Sequence, residues 1–372
     1  MATESKKRIG ILSMQRIKNY GSFLQAYALK TMIEELGHEV EFVDYRVGKP
    51  LIEEQNKGGK LSKVTTILKG DAPLIQKIQY INHKRNFSKK YFSKLNLTEY
   101  QNYTPELDVL VIGSDEVFNC IQKNKNVGYS LELFGKDNRA KKVITYAASF
   151  GNTTTNKLKS YKKYKEIGEL LSKIDTISVR DKNSGNVVAE LTDKDVVYNL
   201  DPVLVFNYPN REDLIPTIDV KEKYMIVYAY NNRISKEESK WIKDYAKKNG
   251  LKVYAIGGAQ SCADKFIDCS PFGVLAYFKN AECVITDTFH GSIFSIIMQK
   301  NFVTLVRKSV GNEYGNEEKL TDLLERVNLK DRMLYDIREM PNVILQNIDY
   351  EKVNKILNVE RENTLKYLNN EL

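Results

Sequence analysis

Short apolar runs alternate along the chain with longer segments in which apolar residues recur at helical spacing. Residues 8–13 form a first apolar run, and in residues 23–36 apolar side chains recur every fourth position from Leu24 to Leu36. A second apolar run follows at residues 40–45. A strand, a helix and a strand joined by short connections indicate a parallel crossover, the unit from which sheets covered by helices on both faces are built.

Further apolar runs continue this alternation through two halves of the chain. Residues 108–113, 142–148 and 176–179 predict three more strands in the first half, and each run ends at small or polar residues. A second series of strands and helices covers residues 224–327. We therefore predict an α/β fold in which two Rossmann-like domains face a cleft, with C-terminal helices after them.

Changes in composition suggest the domain boundaries. We assign residues 1–206 to the N-terminal domain, which includes a lysine-rich stretch without a clear strand at residues 47–103. This stretch is interpreted as a helical basic insertion. Residues 207–222 are polar and contain proline, as a linker would, and residues 223–345 form the C-terminal domain. The final segment, residues 346–372, predicts a C-terminal helix for which we consider packing across both domains.

The charge balance narrows the choice of partners. The chain carries 57 Lys and Arg against 48 Asp and Glu, a formal net charge of +9. Such an excess favours phosphorylated substrates, nucleic acid or an anionic membrane surface. The sequence has no zinc finger, RNP-like motif or concentrated basic helix. We therefore expect no nucleic-acid partner.

The cysteines and the first residues indicate a cytoplasmic protein. The four cysteines match no CxxC pattern, so we expect reduced thiols and no metal site. The apolar run at residues 9–12 is too short for a signal-peptide core or a membrane span. We expect a cytoplasmic location, and the basic surface also allows contact with the inner face of a membrane.

The chain contains only three histidines, and their settings differ. His38 follows the end of a predicted helix and His83 lies in a polar, basic stretch, so we expect both at the surface. His290 instead lies on a strand-to-helix turn, between the apolar run 283–286 and a predicted helix at residues 291–299. Function concentrates on such turns in α/β folds, and an imidazole titrates near neutral pH. His290 is therefore the candidate acid or base.

The residues after His290 suggest an anion site. Backbone N–H groups of Gly291 and Ser292 at a helix start would attract a phosphate or carboxylate, through hydrogen bonds and the helix dipole. The alternative is that His290 only caps the helix.

Other polar residues follow strands of the first half. Arg180 comes directly after a predicted strand and has two interpretations, a salt-bridged surface residue or a fork for phosphate and carboxylate. Asp115 follows a predicted strand, after Gly113 and Ser114. It has three interpretations: an acid or base, an acceptor of hydrogen bonds from sugar hydroxyls, or a helix cap. The turn at residues 19–22 presents polar groups to a ligand or forms an ordinary turn and cap.

Six short motifs, taken in order, resemble those of the polysaccharide pyruvyl transferase family. The motifs occupy residues 19–29, 112–119, 146–151, 178–181, 200–202 and 286–292. The resemblance implies a fold similar to the two-domain GT-B glycosyltransferases. It also implies transfer of an enolpyruvyl group from phosphoenolpyruvate to a sugar of a surface or extracellular polysaccharide, or of its lipid-linked precursor, forming a pyruvate ketal.

The resemblance also implies roles for individual residues. His290 would be the general acid or a phosphate partner, and Asp115 would orient or deprotonate the acceptor. Arg180 with the amides of Gly291 and Ser292 would hold phosphate or carboxylate. Further cleft-lining or acceptor-binding residues would be Asn19, Tyr20, Gly21, Ser22, Gln25, Asn119 and Asn152. No cofactor is implied beyond phosphoenolpyruvate as co-substrate, and the partner is a glycan or lipid-linked sugar acceptor.

One position departs from the family pattern. Thr288 stands two residues before the histidine, where family members often carry an arginine. Arg307 and Lys308, which follow the predicted strand at residues 302–306, are the candidate replacements for that charge.

The sequence is also compatible with two other functions. A GT-B-type glycosyltransferase with a nucleotide-sugar donor would suit the same architecture, and so would a non-catalytic binder of phosphorylated sugars. The absence of GxGxxG and GxxxxGK[ST] motifs argues against a tightly bound dinucleotide or a P-loop nucleotide. The identity of the donor separates the two enzyme functions.

Overall fold

A computed structural model describes residues 6–52, 67, 70–308 and 315–372. The described chain divides into two compact units. The first unit contains residues 6–52, 92–206 and 357–372, and the second contains residue 67 and residues 70–91, 207–308 and 315–356. Each unit holds a six-stranded parallel sheet with helices. The prediction of two Rossmann-like domains is therefore confirmed.

The strands of the first sheet are β1 (Arg8–Leu12), β2 (Glu39–Phe42), β3 (Glu106–Asp115), β4 (Arg139–Ala148), β5 (Ile177–Val179) and β6 (Val196–Tyr198). Those of the second sheet are β7 (Tyr224–Tyr228), β8 (Lys252–Ile256), β9 (Lys265–Phe266), β10 (Val284–Thr286), β11 (Phe302–Leu305) and β12 (Met333–Leu334). Within each sheet, the paired strands all run parallel to one another.

The described α-helices are α1 (Tyr20–Glu35), α2 (Leu74–Tyr91), α3 (Thr155–Ser160), α4 (Tyr164–Leu171), α5 (Lys182–Leu191), α6 (Pro202–Val205), α7 (Lys236–Lys248), α8 (Pro271–Asn280), α9 (Phe289–Ile297), α10 (Glu317–Arg326), α11 (Met340–Leu345) and α12 (Tyr350–Glu371).

Each sheet has a point at which the order of its strands reverses direction. The first sheet runs β2-β1-β3-β4-β5-β6, so the chain switches sides between β1 and β3. The second runs β12-β11-β10-β7-β8-β9 and switches between β7 and β10. In open α/β sheets, ligands bind outside the carboxyl ends of the strands at such switch points. The loops after these four strands are therefore where functional residues are expected.

The central strands are buried on both faces. Neighbouring side chains of a strand point to opposite faces, and both are buried in β1, at Ile11 and Leu12, and in β7, at Met225 and Ile226. Such strands give near-continuous apolar runs in the sequence, which is why the pattern located them. Burying one such side chain stabilises the fold by about 1.5–3 kcal/mol.

The lysine-rich stretch contributes a helix to the second unit and not to the first. Helix α2 is attached there by the Gln76 Nε2 group, which donates to the Ala263 carbonyl at 2.9 Å, and by the Tyr91 hydroxyl, which donates to the Cys269 carbonyl at 3.2 Å. The predicted domain assignment thus differs from the structure for residues 70–91. Residues 53–66, 68 and 69 of that stretch lie outside the described residues.

Two further assignments differ from the sequence-based division. The longer segment of the second unit begins at Asn207, so residues 207–222, interpreted as a linker, belong to that unit. Helix α12 contributes its first residues to the second unit and residues 357–371 to the first. In the first unit, the Tyr367 hydroxyl donates to the Thr145 carbonyl at 2.7 Å and Arg361 Nε donates to the Val205 carbonyl at 2.7 Å.

The expectation that His38 and His83 lie at the surface was wrong. Both are buried. The His38 ring accepts a hydrogen bond from the Lys7 backbone at 3.4 Å, beside β1. His83 Nδ1 lies 2.6 Å from Asp268 Oδ1, and the His83 ring packs against Phe87 and Phe266. Polar neighbours in the sequence did not reveal these contacts, because the partners are distant along the chain.

Candidate active site

The candidate residues form two groups, one in each unit. Asp115 and Arg180 lie at the carboxyl ends of β3 and β5 in the first unit. His290, Gly291 and Ser292 lie after β10 in the second unit.

Asp115 ends β3 in an unusual backbone conformation. Its φ is +75°, a region that L-residues other than glycine rarely adopt and that costs roughly 1–3 kcal/mol. Gly113, with φ +124°, precedes it, and a Cβ there would lie 2.2 Å from the Tyr146 carbonyl oxygen. The Asp115 carboxylate accepts hydrogen bonds from the Ser22 hydroxyl at 2.9 Å and from the Glu116 N–H at 2.9 Å. Such strain is typical of functional sites, and here it sets the position of the carboxylate.

The turn before α1 is mainly a helix cap. Asn19 Oδ1 accepts hydrogen bonds from the N–H groups of Gly21 at 2.7 Å and Ser22 at 3.2 Å. Tyr20 and Gln25 are buried, and Gln25 Nε2 donates to Ser22 O at 3.1 Å. Of these five residues, the Ser22 side chain contacts Asp115 directly.

Arg180 is not at the surface, because its side chain is only 4% exposed. Its Nη1 donates to Asp201 Oδ2 at 2.9 Å and lies 3.8 Å from Asp115 Oδ1. Burial acts to lower the pKa of Arg180, but the charges of Asp201, Asp115 and Asp181 outweigh it and raise the pKa above its ordinary value. The surface alternative is therefore wrong. Its ion pairs are with two carboxylates, Asp201 at 2.9 Å and Asp115 at 3.8 Å.

Asn119 and Asn152 lie in the loops after β3 and β4. Asn119 Nδ2 donates to Glu116 Oε2 at 2.7 Å, and Asn119 Oδ1 accepts from the Thr153 hydroxyl at 3.1 Å. The Asn152 carbonyl accepts from Lys157 Nζ at 2.7 Å, and the Asn152 side chain is half-buried. The two loops are thus tied together through Asn119.

In the second unit, the helix after β10 begins earlier than predicted. Thr288 caps α9, and its Oγ1 accepts the Gly291 N–H at 2.9 Å. The Ser292 N–H donates to the Thr288 carbonyl at 3.2 Å, and the Ser292 hydroxyl lies 2.8 Å from Thr304 Oγ1. The expectation that these two amides are open to an anion was therefore wrong. A Cβ on Gly291 would lie 2.0 Å from Thr286 Oγ1, so close packing explains the glycine.

His290 is the second residue of α9 and is half-buried. Its ring centroid lies 5.5 Å from that of Phe289 and 6.1 Å from that of Phe294. Since β10 pairs with β7, His290 stands at the switch point of the second sheet. The sequence predicted the position after β10 but placed His290 on the turn before the helix, whereas the residue lies in its first turn.

Asp287, three residues before His290, anchors a group of arginines that the sequence reasoning only partly found. Asp287 Oδ2 accepts from Arg233 Nε at 2.9 Å and lies 3.5 Å from Arg307 Nε. Arg307 also forms a fork with Glu238, at 2.5 Å and 3.1 Å. Burial raises the pKa of the Asp287 carboxyl, while the two arginines act to lower it.

Among the candidate replacements for the family arginine, Arg307 is therefore occupied by Glu238 and Asp287. Lys308 is exposed and its Nζ lies 5.7 Å from the centre of the Tyr335 ring. Arg233 and Asp287 were missed by the sequence reasoning. The available signal was that Arg233 follows β7, the first strand of the second half.

The described part of the chain has neither a candidate metal-binding cluster nor a candidate membrane-spanning helix. No group of three or more His, Cys, Asp or Glu side chains there is arranged to hold a metal ion. None of the helices in these ranges is both long and apolar enough to cross a membrane. The described cysteines form no disulfide, and burial raises the pKa of Cys120, Cys262 and Cys283 to about 12.

The sequence model of a family described as polysaccharide pyruvyl transferase matches residues 19–309. The chain belongs to the polysaccharide pyruvyl transferase family. Because of this family membership, the protein is a transferase. The matched range includes Asp115, Arg180 and His290. No curated protein sequence matches the chain.

Solved structures of similar fold cover nearly the whole of this pyruvyl transferase family member. A UDP-N-acetylglucosamine 2-epimerase has a TM-score of 0.50 at 9% identity, over 98% of this chain and 95% of its own. The UDP-GlcNAc 2-epimerase from Neisseria meningitidis, bound to UDP-GlcNAc, gives 0.47 at 11%, over 97% of each chain. A mutant O-GlcNAc transferase from Thermobaculum terrenum gives 0.44 at 14%, over 99% of this chain and 66% of its own. At such identities the likeness concerns the fold alone.

Proposed function

We propose that the protein transfers a pyruvyl group from phosphoenolpyruvate to a sugar of a surface polysaccharide, or of its lipid-linked precursor, and forms a pyruvate ketal. Family membership supports the reaction type. The observation that carries the assignment of residues is the position of His290, an ionisable side chain on the first turn of α9 at the switch point of the second sheet.

The proposed chemistry begins with a proton transfer. Protonated His290 gives its proton to the methylene carbon of the donor, and positive charge develops at the carbon that bears the phosphate. A sugar hydroxyl attacks that carbon and loses its proton to Asp115. The bond from that carbon to the phosphate oxygen then breaks, and inorganic phosphate leaves with the bonding electrons. A second sugar hydroxyl bonds to the same carbon and closes the ketal, and its proton passes to the departing phosphate. General acid–base groups of this kind typically contribute 10²–10⁴-fold to the rate.

Asp115 suits the role of base because its position is constrained from several sides. Ser22 and the Glu116 N–H donate to it, and the Arg180 guanidinium lies 3.8 Å away. We assign Arg180 the role of positioning Asp115. A carboxylate held in this way keeps the geometry that proton abstraction requires.

The acceptor is proposed to be a glycan or a lipid-linked sugar, reached from the cytoplasm at the inner face of a membrane. Helix α2 exposes Leu74, Ile75 and Ile78, and its far end carries Arg85 and Lys89. Apolar and basic side chains on one helix are the combination that binds anionic lipid surfaces. Co-sedimentation with vesicles containing anionic lipid, and with neutral vesicles as control, tests this contact. Equal recovery with both would contradict it.

The proposed donor is tested by calorimetric titration of the wild-type protein and of His290→Gln with phosphoenolpyruvate and with a panel of nucleotide sugars. Saturable binding of phosphoenolpyruvate by the wild type supports pyruvyl transfer. Binding of a nucleotide sugar without binding of phosphoenolpyruvate would instead support glycosyl transfer and overturn the proposal. A thermal melt of each variant shows that it is folded.

A further inference from the structure

The switch point of the second sheet carries an arginine besides the histidine. Arg233 follows β7, Asp287 follows β10, and these two strands pair in parallel with Thr286 opposite Tyr228. Arg233 Nε donates to Asp287 Oδ2 at 2.9 Å across 54 positions of the sequence. The guanidinium is thus fixed at the edge of the sheet from which His290 also extends.

The loop that bears Arg233 is held by its own contacts. Gln260, which is 1% exposed, donates from Nε2 to the Tyr230 carbonyl at 2.7 Å and accepts the Ile234 N–H at 3.3 Å. Asn231 Oδ1 accepts the Ala259 N–H at 3.2 Å. These bonds fix the backbone on both sides of Arg233. A side chain on such a loop loses little freedom when it binds a ligand.

Arg233 and Arg307 share Asp287 but differ in what their outer nitrogens contact. Both η nitrogens of Arg307 donate to Glu238, so these two nitrogens are committed within the protein. In the described part of the chain, the η nitrogens of Arg233 make no hydrogen bond to protein, and 35% of this side chain is exposed. A planar guanidinium with two outward nitrogens binds phosphate or carboxylate in a fork.

Asp287 itself carries a second indication of a ligand. Its Oδ1 atom is buried and accepts no hydrogen bond from the described residues. Folded proteins generally avoid a buried polar atom without a partner. A water molecule or a hydroxyl group of a bound ligand would supply the missing bond.

We propose that Arg233, positioned by Asp287, binds the phosphate or carboxylate of the anionic donor substrate. The inference rests on the proposed function for the identity of that donor. Asp287 acts through Arg233 and is a positioning residue. Arg307, which pairs with Glu238, also lies 3.5 Å from Asp287 and stabilises the charge of its carboxylate.

The test is calorimetric titration of the full chain with phosphoenolpyruvate and, separately, with inorganic phosphate. We expect Arg233→Met to weaken binding by about 10- to 100-fold, the usual range for losing hydrogen bonds to a charged group. Arg233→Lys keeps the charge but loses the fork, and we expect an intermediate loss. Arg338→Met is the matched control, because this exposed arginine of the same unit pairs only with Asp336 among the described residues. It should bind as the wild type does.

The variant Asp287→Asn distinguishes a positioning role of Asp287 from an effect of its negative charge alone. Removing a negative charge beside an anion site would tighten anion binding if Asp287 acted only through its field. We expect weaker binding instead, because the guanidinium loses its carboxylate anchor. Tighter binding by Asp287→Asn would overturn the positioning role. If this variant is unfolded in a thermal melt, the Arg233 variants decide the proposal, since their side chain is partly exposed.

The outcomes distinguish this inference from the proposed function. Equal binding of phosphoenolpyruvate by wild type and Arg233→Met overturns the role of Arg233 and leaves pyruvyl transfer standing. Binding of phosphate that depends on Arg233, without binding of phosphoenolpyruvate, supports the anion site and counts against pyruvyl transfer. A wild type that binds neither ligand overturns the inference.

Discussion

At the carboxyl edge of the first sheet one arginine is surrounded by carboxylates, whereas at the switch point of the second sheet two arginines share one carboxylate. Arg180 is buried against Asp201 and Asp115. Arg233 and Arg307 meet at Asp287, and Arg233 is partly exposed. Beyond the strand ends, Arg180 of the first unit thus lies between two carboxylates, whereas Arg233 of the second unit pairs with one. A carboxylate can accept a proton, whereas a guanidinium with accessible nitrogens can bind an anion.

The difference has a physical cause in how deeply each arginine lies. A fully buried arginine must be compensated by carboxylates, since an unpaired buried charge is costly. A partly exposed arginine keeps water around its outer nitrogens and can exchange that water for a ligand. Because it is buried, Arg180 is a structural residue, whereas the partly exposed Arg233 is accessible to a ligand.

The largest expected effect concerns the framework of the first unit. Arg180→Ala leaves Asp201 buried without its ion-pair partner, and removing one member of a buried pair typically costs about 3–5 kcal/mol of unfolding free energy. Urea denaturation measures the loss. The control is Arg211→Ala, whose ion pair with Asp213 is exposed and should contribute below about 1 kcal/mol. Equal stability of the two variants would contradict a framework role for Arg180.

The next effect concerns chemistry and not stability. We expect His290→Gln to lower the rate of phosphate release from phosphoenolpyruvate in the presence of acceptor by about 10²–10⁴-fold. Its melting temperature should stay close to that of the wild type, because the histidine is only half-buried. Retained activity in this variant would remove His290 from the chemical step.

A smaller effect is expected at the cap of α9. Thr288→Ala removes the side chain that accepts the Gly291 N–H, and loss of such a cap costs about 1 kcal/mol. Thr288→Ser keeps the hydroxyl and should restore most of that stability. If Thr288→Ala instead raised the affinity for phosphate, the Gly291 amide would be an anion ligand after all. Chemical denaturation and phosphate titration measure the two properties.

The smallest expected effect is on the pH dependence of folding stability, and it concerns His83 of the second unit. Burial lowers the pKa of His83, which packs in the second unit, below its ordinary value of 6.5. The unfolded chain therefore binds a proton at a higher pH than the folded chain does. As pH falls through 6.5 towards the folded pKa, folding loses stability, and above 6.5 the contribution is fully retained. Denaturation of His83→Gln between pH 5 and pH 8 should show a flatter profile than the wild type, and an identical profile would contradict the assignment.

The position of the strands and of His290 could be predicted because both depend on local pattern. The apolar run at residues 108–113 lies inside β3, and the predicted helix at 23–36 corresponds to α1. The helix after His290 was placed two residues too late, since the Thr288 cap was not identified. Boundaries depend on single side-chain hydrogen bonds, which periodicity does not reveal.

The arginine contacts could not be predicted, because they join residues that are distant in the sequence. Arg233 and Asp287 are 54 positions apart, and Arg180 and Asp201 are 21 apart. Which arginine is buried and which is accessible depends on the packing of whole elements around it. The position of α2 in the second unit has the same origin.

The amino-acid sequence by itself determined the fold class, the family and the histidine at the strand-to-helix turn, since alternating apolar runs and short motifs are local properties of the chain. Only the tertiary structure decided that Arg180 is a buried partner of carboxylates, that the Gly291 N–H is already capped, and that Arg233 is held by Asp287. Burial and long-range ion pairs arise from the packing of distant segments, and no local pattern specifies them.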